Sequence, residues 1–235
     1  PVLTMGELAK NSHLKAREYF CNEGGVTYTG APFLLSVTPS TLRSPAPDSN
    51  TDIRKLLKLW NKSNSDAEIR FKQSAKSIEG KDGPLSGYRG VVLTQAWSGA
   101  FSTELTALFG SEVIQVEARS RYDSWRGGGF IMPVPDGVKD SLTEQHSWNC
   151  DSRFNSVNLN KKSVTLELDT VEGRDVFKQL VAKADFVAEN FSPRVMKKLG
   201  LDYESLKSIK PDIIYMSISG YGHSGPWSPL PAIGG

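Results

Sequence analysis

The chain has 235 residues, 38% of them hydrophobic, and 28 Lys and Arg stand against 26 Asp and Glu. That length holds one large domain or two small ones, while a net charge of +2 without a basic stripe argues against a nucleic-acid protein, and no stretch of about 18 apolar residues is present to span a membrane. The two cysteines, Cys21 and Cys150, are too few for a disulfide framework and fit a reduced, cytoplasmic setting.

In chain order, Pro1-Val2-Leu3-Thr4-Met5-Gly6-Glu7 has neither an initiator methionine nor the basic start and apolar run of a signal peptide, so a fragment or processed piece is expected. Residues 1–52 are short elements broken by Gly and Pro, ending near Ser44-Pro45-Ala46-Pro47. Residues 53–84 are polar and read as a tether with one helix, whose Ile53, Leu56, Leu57 and Trp60 share a face. After Lys81-Asp82-Gly83-Pro84 the pattern becomes alternating strand and helix, and a boundary is placed there. Gly90–Leu93 reads as a strand. A helix follows over 99–109, with Phe101, Leu105 and Leu108 spaced for one face and Gly110 as its stop. Val113–Glu117 is the next strand. Beyond a long loop come a strand over Val164–Leu168 and a helix over 170–184 with a buried stripe of Val176, Phe177, Leu180 and Val181. Phe186–Ala188 is a strand, Ser192-Pro193 opens a helix that Gly200 closes, and a short helix runs from Asp202 to Ile209. Ile213–Ile218 is the last strand.

Such repeated strand-helix-strand units imply an α/β fold, a parallel sheet with helices on both faces. Ligands of such sheets bind beyond the carboxyl ends of the strands. That rule selects Thr94–Gly99, Glu117–Gly129, Asn190–Arg194 and Ser219–Gly225. Turn N–H groups there are expected to face an anion. The long loop offers Arg119, Arg121, Arg126, Arg153, Lys161 and Lys162, with Gly127-Gly128-Gly129 allowing close backbone approach. The ordinary alternative is a solvated charged loop. A dinucleotide is rejected, because Thr94-Gln95-Ala96-Trp97-Ser98-Gly99 has one glycine where the fingerprint has three, and Glu117 alone is a weak ribose-binding acid. His13, His146 and His223 are too scattered to argue for a metal site, so none is expected.

Four segments resemble the family III CoA-transferases, the CaiB/BaiF type. They are Leu85–Gly99 with Gly110–Glu117; Asn158–Leu168 with Glu172-Gly173; Ala184–Phe191 with Pro193 and Leu199-Gly200; and Pro211–Tyr215 with Ser219–Pro226. Their order over the second half of the chain is more specific than any one of them. Residues 1–52 resemble the closing stretch of the same family, through Pro1–Leu8, Ala16–Phe20, Gly30-Ala31-Pro32-Phe33 and Pro45-Ala46-Pro47. The resemblance therefore implies three parts: 1–52, the C-terminal tail of a first CoA-transferase module; 53–84, a linker; 85–235, the N-terminal CoA-binding part of a second. Such a tandem arrangement is similar to the dimethylsulfoniopropionate CoA-transferase/lyase.

What the resemblance implies for function is an acyl-CoA:carboxylate CoA-transferase with a Rossmann-like large domain. Its cofactor and substrate is coenzyme A as acyl-CoA, its partners are an acyl-CoA and a carboxylic acid, and its assembly is an interlocked, dimer-like one. Neither nucleic acid nor membrane is implied. Gln95, Ala96 and Trp97 would line the nucleotide end of CoA with Arg119 nearby; Leu166, Asn190, Phe191 and Val195 would hold the adenine; Lys198 would meet phosphate. Structural roles stand beside these: Phe191 and Val195 as core, Asn190 as a turn residue, Lys198 as a helix-end cation. The family's nucleophile is an aspartate in a Gly-Asp pair, expected beyond Gly235; its carboxylate attacks the acyl-CoA thioester and expels CoA thiolate, which converts the mixed anhydride to an aspartyl-CoA thioester and releases the first acid, and CoA passes from there to the second acid. No catalytic residue is therefore expected in this chain, and His223 is read as structural. Racemases of this group carry Gly-His-Asp where Ala232-Ile233-Gly234 stands, which disfavours a racemase. A non-catalytic CoA-binding or assembly module and a CoA-dependent lyase remain as alternatives.

Overall fold

The computed structural model describes residues 2–44, 46, 52–61, 83–126, 147–149 and 151–232. Gly127–Gly129, Lys81-Asp82, Pro45, Pro47, His146, Cys150, Gly234 and most of the expected tether lie outside the described residues. Two compact units are present: Pro1–Ser77 with His223–Leu230, and Ile78–Gly222 with Pro231–Gly235.

The first unit opens with α1 (Met5–Lys10) and α2 (Ser12–Ala16). Thr4 caps α1 reciprocally with Glu7, and the Asn11 side chain accepts from His13 and Leu14 N–H to start α2. Strands β1 (Phe20–Glu23) and β2 (Val26–Thr29) form an antiparallel hairpin. Its two-residue turn, Gly24-Gly25, has both φ values positive, as the tight hairpin turn requires. Residues 53–61 form α3, and its expected apolar face of Ile53, Leu56, Leu57 and Trp60 is exposed. From this unit's later segment, Trp227 stacks on buried His13 with centroids 5.3 Å apart and donates its N–H to His13 Nδ1 at 3.1 Å.

The second unit is built on a five-stranded, wholly parallel sheet. Its strands are β3 (Arg89–Leu93), β4 (Glu112–Glu117), β5 (Lys161–Thr165), β6 (Phe186–Glu189) and β7 (Ile214–Ser217), in the order β5-β4-β3-β6-β7. The α/β architecture expected from the sequence is thus present. Helices α4 (Ser98–Leu108), α5 (Ser152–Ser156), α6 (Val171–Val181), α7 (Val195–Leu199) and α8 (Tyr203–Lys207) connect them. Side chains alternate across the sheet. Val91, Leu93 and Val187 pack in one core with Phe177, Val181, Met196 and Leu206, while Val92, Val113 and Ala188 pack in another with Ala107. Helices therefore cover both faces.

Four expectations are corrected. Strand β5 lies three residues earlier than the Val164–Leu168 alternation suggested, because Val113 pairs with Lys161 and Glu117 with Thr165. Helix α4 turns its small residues inward: Ala100, Thr103 and Ala107 are buried, while Phe101, Leu105 and Leu108 are exposed. Small side chains let the helix lie close on the sheet, and the threonines of strand and helix meet, Thr94 to Thr103 at 3.0 Å. Val176 is likewise exposed, although Phe177 and Val181 are fully buried. Finally, α7 starts at Val195 behind Arg194, a cap residue in the left-handed region at φ 85°, rather than on a Ser192 cap. Gly200 closes it in the left-handed region as expected.

Candidate functional site

The strand order reverses direction between β3 and β6, since the chain runs outward from β3 to β5 and then returns to the other side of β3. A crevice must open at that switch point, because successive connections leave in opposite directions. A cleft of about 190 Å³ lies there. Leu93 and Val116 at the strand ends, with Leu166, Phe191, Val195 and Leu199, give it an apolar lining; Gln95, Arg121 and the acidic residues Glu117, Glu167 and Asp169 supply polar groups. Such a mixture, mostly apolar with a few directed polar groups, suits a small organic ligand.

Of the residues selected from the sequence, Gln95, Leu166, Phe191 and Val195 are brought together in this cleft. Asn190 sits between Glu189 and Phe191 and turns its side chain onto β3 instead. Its Oδ1 accepts the Gln95 N–H at 2.7 Å, and its Nδ2 donates to the Gln95 carbonyl at 2.7 Å. An amide can satisfy an N–H and a C=O of one residue simultaneously, as a neighbouring strand would. Ala96, Trp97, Arg119 and Lys198 are not part of the lining. Trp97 is 67% exposed and meets Trp125 edge-on, with centroids 5.6 Å apart. Lys198 is exposed on the last turn of α7.

Arg121 lines the cleft and Arg119 does not. A turn causes the difference: Arg121 N–H donates to the Ala118 carbonyl at 3.2 Å, which folds residues 118–121 back. Four of the six loop cations are committed elsewhere. Arg126 grips Glu117 through two bonds of 2.6 and 2.9 Å and lies 3.6 Å over Phe154. Arg153 pairs with Asp151 at 2.6 Å, and Lys162 with Glu112 at 2.6 Å. Lys161 donates to the Ala100 and Val157 carbonyls and to Asn158. Burial pushes its ammonium down to about 8, against the opposing pull of Glu104, Asp123 and Glu117. Arg119 and Arg121 make no ion pair among the described residues, and both are exposed.

The N–H groups expected to receive an anion are also partly taken. Asn190 holds that of Gln95, Asp123 holds that of Ala96 at 2.9 Å, and Glu189 holds that of Phe191 at 2.8 Å. Glu189 is buried and further receives the hydroxyls of Ser217 and Tyr215. Asp123 is also buried; desolvation pushes its carboxyl up, opposed by the N–H groups of Trp125 and Ala96. No local pattern marks Asp123, an isolated acid in a long loop. No group of three or more His, Cys, Asp or Glu able to hold a metal is found among the described residues. Nor is any described helix long and apolar enough to cross a membrane.

Comparison with known proteins adds to this geometry. Residues 85–235 match the profile of CoA-transferase family III. Over 155 residues the chain is 40% identical to an acyl-CoA transferase of Fusarium pseudograminearum, covering 66% of this chain and 32% of that protein. It is 39% identical over 140 residues to a succinyl-CoA:mesaconate CoA-transferase of Haloarcula hispanica, covering 60% and 33%. A crystal structure of a CAIB/BAIF family protein from Brucella suis is similar with a TM-score of 0.53 and 35% identity, over 64% of this chain and 37% of that one. The chain spans about a third of the length of these curated relatives. With more than half of its residues inside the family's profile and a sheet of the same architecture, the chain belongs to CoA-transferase family III.

Proposed function

We propose that this chain is the CoA-binding portion of an acyl-CoA:carboxylate CoA-transferase, and that the switch-point cleft receives the nucleotide end of the CoA thioester. The carrying observation is the convergence of Gln95, Leu166, Phe191 and Val195 on one mainly apolar cleft beside Arg121, which makes no ion pair among the described residues. Phe191, Leu166 and Val195 offer adenine an apolar seat, and stacking on an aromatic ring stabilises a base whatever its hydrogen bonds. Arg121 at the rim takes a phosphate as a bidentate fork. Gln95 faces the ligand from the end of β3.

In this reading the nucleophilic aspartate belongs to a part of the protein beyond Gly235, and the acid that receives CoA is bound there too. Residues 1–52 are the tail of one transferase module, 53–84 a linker and 85–235 the head of the next, so that one polypeptide imitates the interlocked pair. The protein works in the cytoplasm, where acyl-CoA substrates and reduced cysteines are at home.

Calorimetric titration of the folded chain with CoA tests the reading. Saturable binding is expected, weakened about tenfold or more by Phe191→Ala, and with a shallower salt dependence in Arg121→Ala. A folded chain that shows no heat of binding at millimolar CoA sinks the proposal.

A further inference from the structure

The Gln95–Ala96 turn is held from two sides in a conformation it would not keep alone. Ala96 has φ 55°, in the left-handed region, where a Cβ crowds the following carbonyl and non-glycine residues are disfavoured. On one side the Asn190 amide closes both hydrogen bonds on Gln95. On the other, Asp123 Oδ2 accepts the Ala96 N–H at 2.9 Å, while its Oδ1 accepts the Trp125 N–H at 2.9 Å. Asp123 is 2% exposed, so these bonds are made out of competition with water. Backbone direction at Ala96 decides where Gln95 points, and Gln95 is in the cleft wall.

We propose that Asp123 is a positioning residue of the CoA site: it holds Ala96 left-handed and so fixes Gln95 in the cleft, with Asn190 as the opposite jaw. This rests on the cleft being the CoA site. Asp123 touches no ligand in this scheme; it acts through Gln95. Without it the turn relaxes toward ordinary φ values, the competent conformation becomes a minor one, and apparent affinity falls by its remaining population. A glycine at position 96 takes the left-handed region freely, so it makes Asp123 dispensable.

The test is CoA affinity by calorimetry in five forms of the full chain: unaltered, Asp123→Asn, Gln95→Ala, the pair together, and Asp123→Asn with Ala96→Gly added as a rescue. Asparagine keeps the shape but offers one acceptor for two N–H groups. Asp123→Asn is expected to bind about tenfold more weakly, to add nothing to the loss in Gln95→Ala, and to regain affinity once Ala96→Gly is present. Equal, additive losses with and without Gln95 would place Asp123 in some other role and overturn the inference, as would unchanged binding in Asp123→Asn or a failed glycine rescue. If the unaltered chain binds no CoA, the cleft reading itself falls and this goes with it; binding by the unaltered chain with any of the former results removes this inference alone. Should the Asp123 variant not fold, amide exchange in the unaltered protein decides: a protected Ala96 N–H supports the clamp, and one exchanging at the free-peptide rate overturns it.

Discussion

A methyl group built on Gly99 would lie 2.6 Å from Cγ of Asn190, so the first turn of α4 and the end of β6 approach more closely than any side chain permits. Gly99 is required by this contact, since nothing in its backbone angles calls for glycine. Gly99→Ala is therefore expected to push the Asn190 amide off Gln95. It should lose CoA affinity together with about 2 kcal/mol of stability, as an overpacked buried site does. Calorimetry and denaturant midpoints check both, and a variant matching the parent in the two would show that β6 can yield.

Much of this architecture was legible in the chain, and the failures have physical causes. Strands β3, β4, β6 and β7 are short apolar runs bounded by turn residues, and a central parallel sheet demands such runs. Strand β5 was misplaced because pairing of Lys161 with Val113 sets its position, and local alternation does not report pairing. The face of α4 was reversed because periodicity weighs large apolar residues, whereas close approach to a sheet selects Ala100 and Ala107. At the site, Gln95, Leu166, Phe191 and Val195 followed from the strand-end rule together with the family resemblance. Arg121 was among the loop cations the strand-end rule offered, but the turn at Ala118 that folds residues 118–121 back is not readable from local pattern. Asp123 and the clasping role of Asn190 are visible only as long-range contacts, 27 and 95 residues apart in sequence.

A second glycine guards the cleft wall. A Cβ on Gly173 would meet the Glu167 carbonyl oxygen well inside van der Waals contact, and that partner is backbone, which cannot swing away. Gly173 also gives its N–H to the Thr170 hydroxyl that caps α6. Gly173→Ala should cost about 2–3 kcal/mol and displace residues 166–169, which line the cleft. A thermal or urea midpoint equal to the parent's would contradict this packing.

The Glu117–Arg126 pair is the most enclosed ion pair among the described residues, with side chains 9% and 14% exposed. Arg126→Met leaves the nearly buried Glu117 without its counter-charge, with Ser163 as its remaining hydrogen-bond donor among the described residues at 3.1 Å. A loss of about 3 kcal/mol is expected. Adding Glu117→Gln should recover a large part of it, since an amide does not need a counter-charge. A double variant as unstable as the sum of its singles would show that the two residues act independently.

Lys161 predicts a pH dependence of definite sign. Its folded ammonium titrates at about 8, below the ordinary 10.5, because burial disfavours the charge. The unfolded chain therefore binds more protons than the folded one between these values, and stability contributed by this group rises with pH across that window. Below pH 8 the penalty is fully present; above about pH 10.5 it is gone. Lys161→Met removes the titration while losing the bonds to Ala100, Val157 and Asn158. The stability of the parent relative to Lys161→Met should thus grow by about 2 kcal/mol from pH 7.5 to 10, the full linkage value being reduced for the solvent that still reaches the amine. Urea unfolding of both proteins at a series of pH values reads this directly. A difference that stays flat, or narrows as pH rises, would mean that the Lys161 ammonium is as well solvated in the fold as outside it.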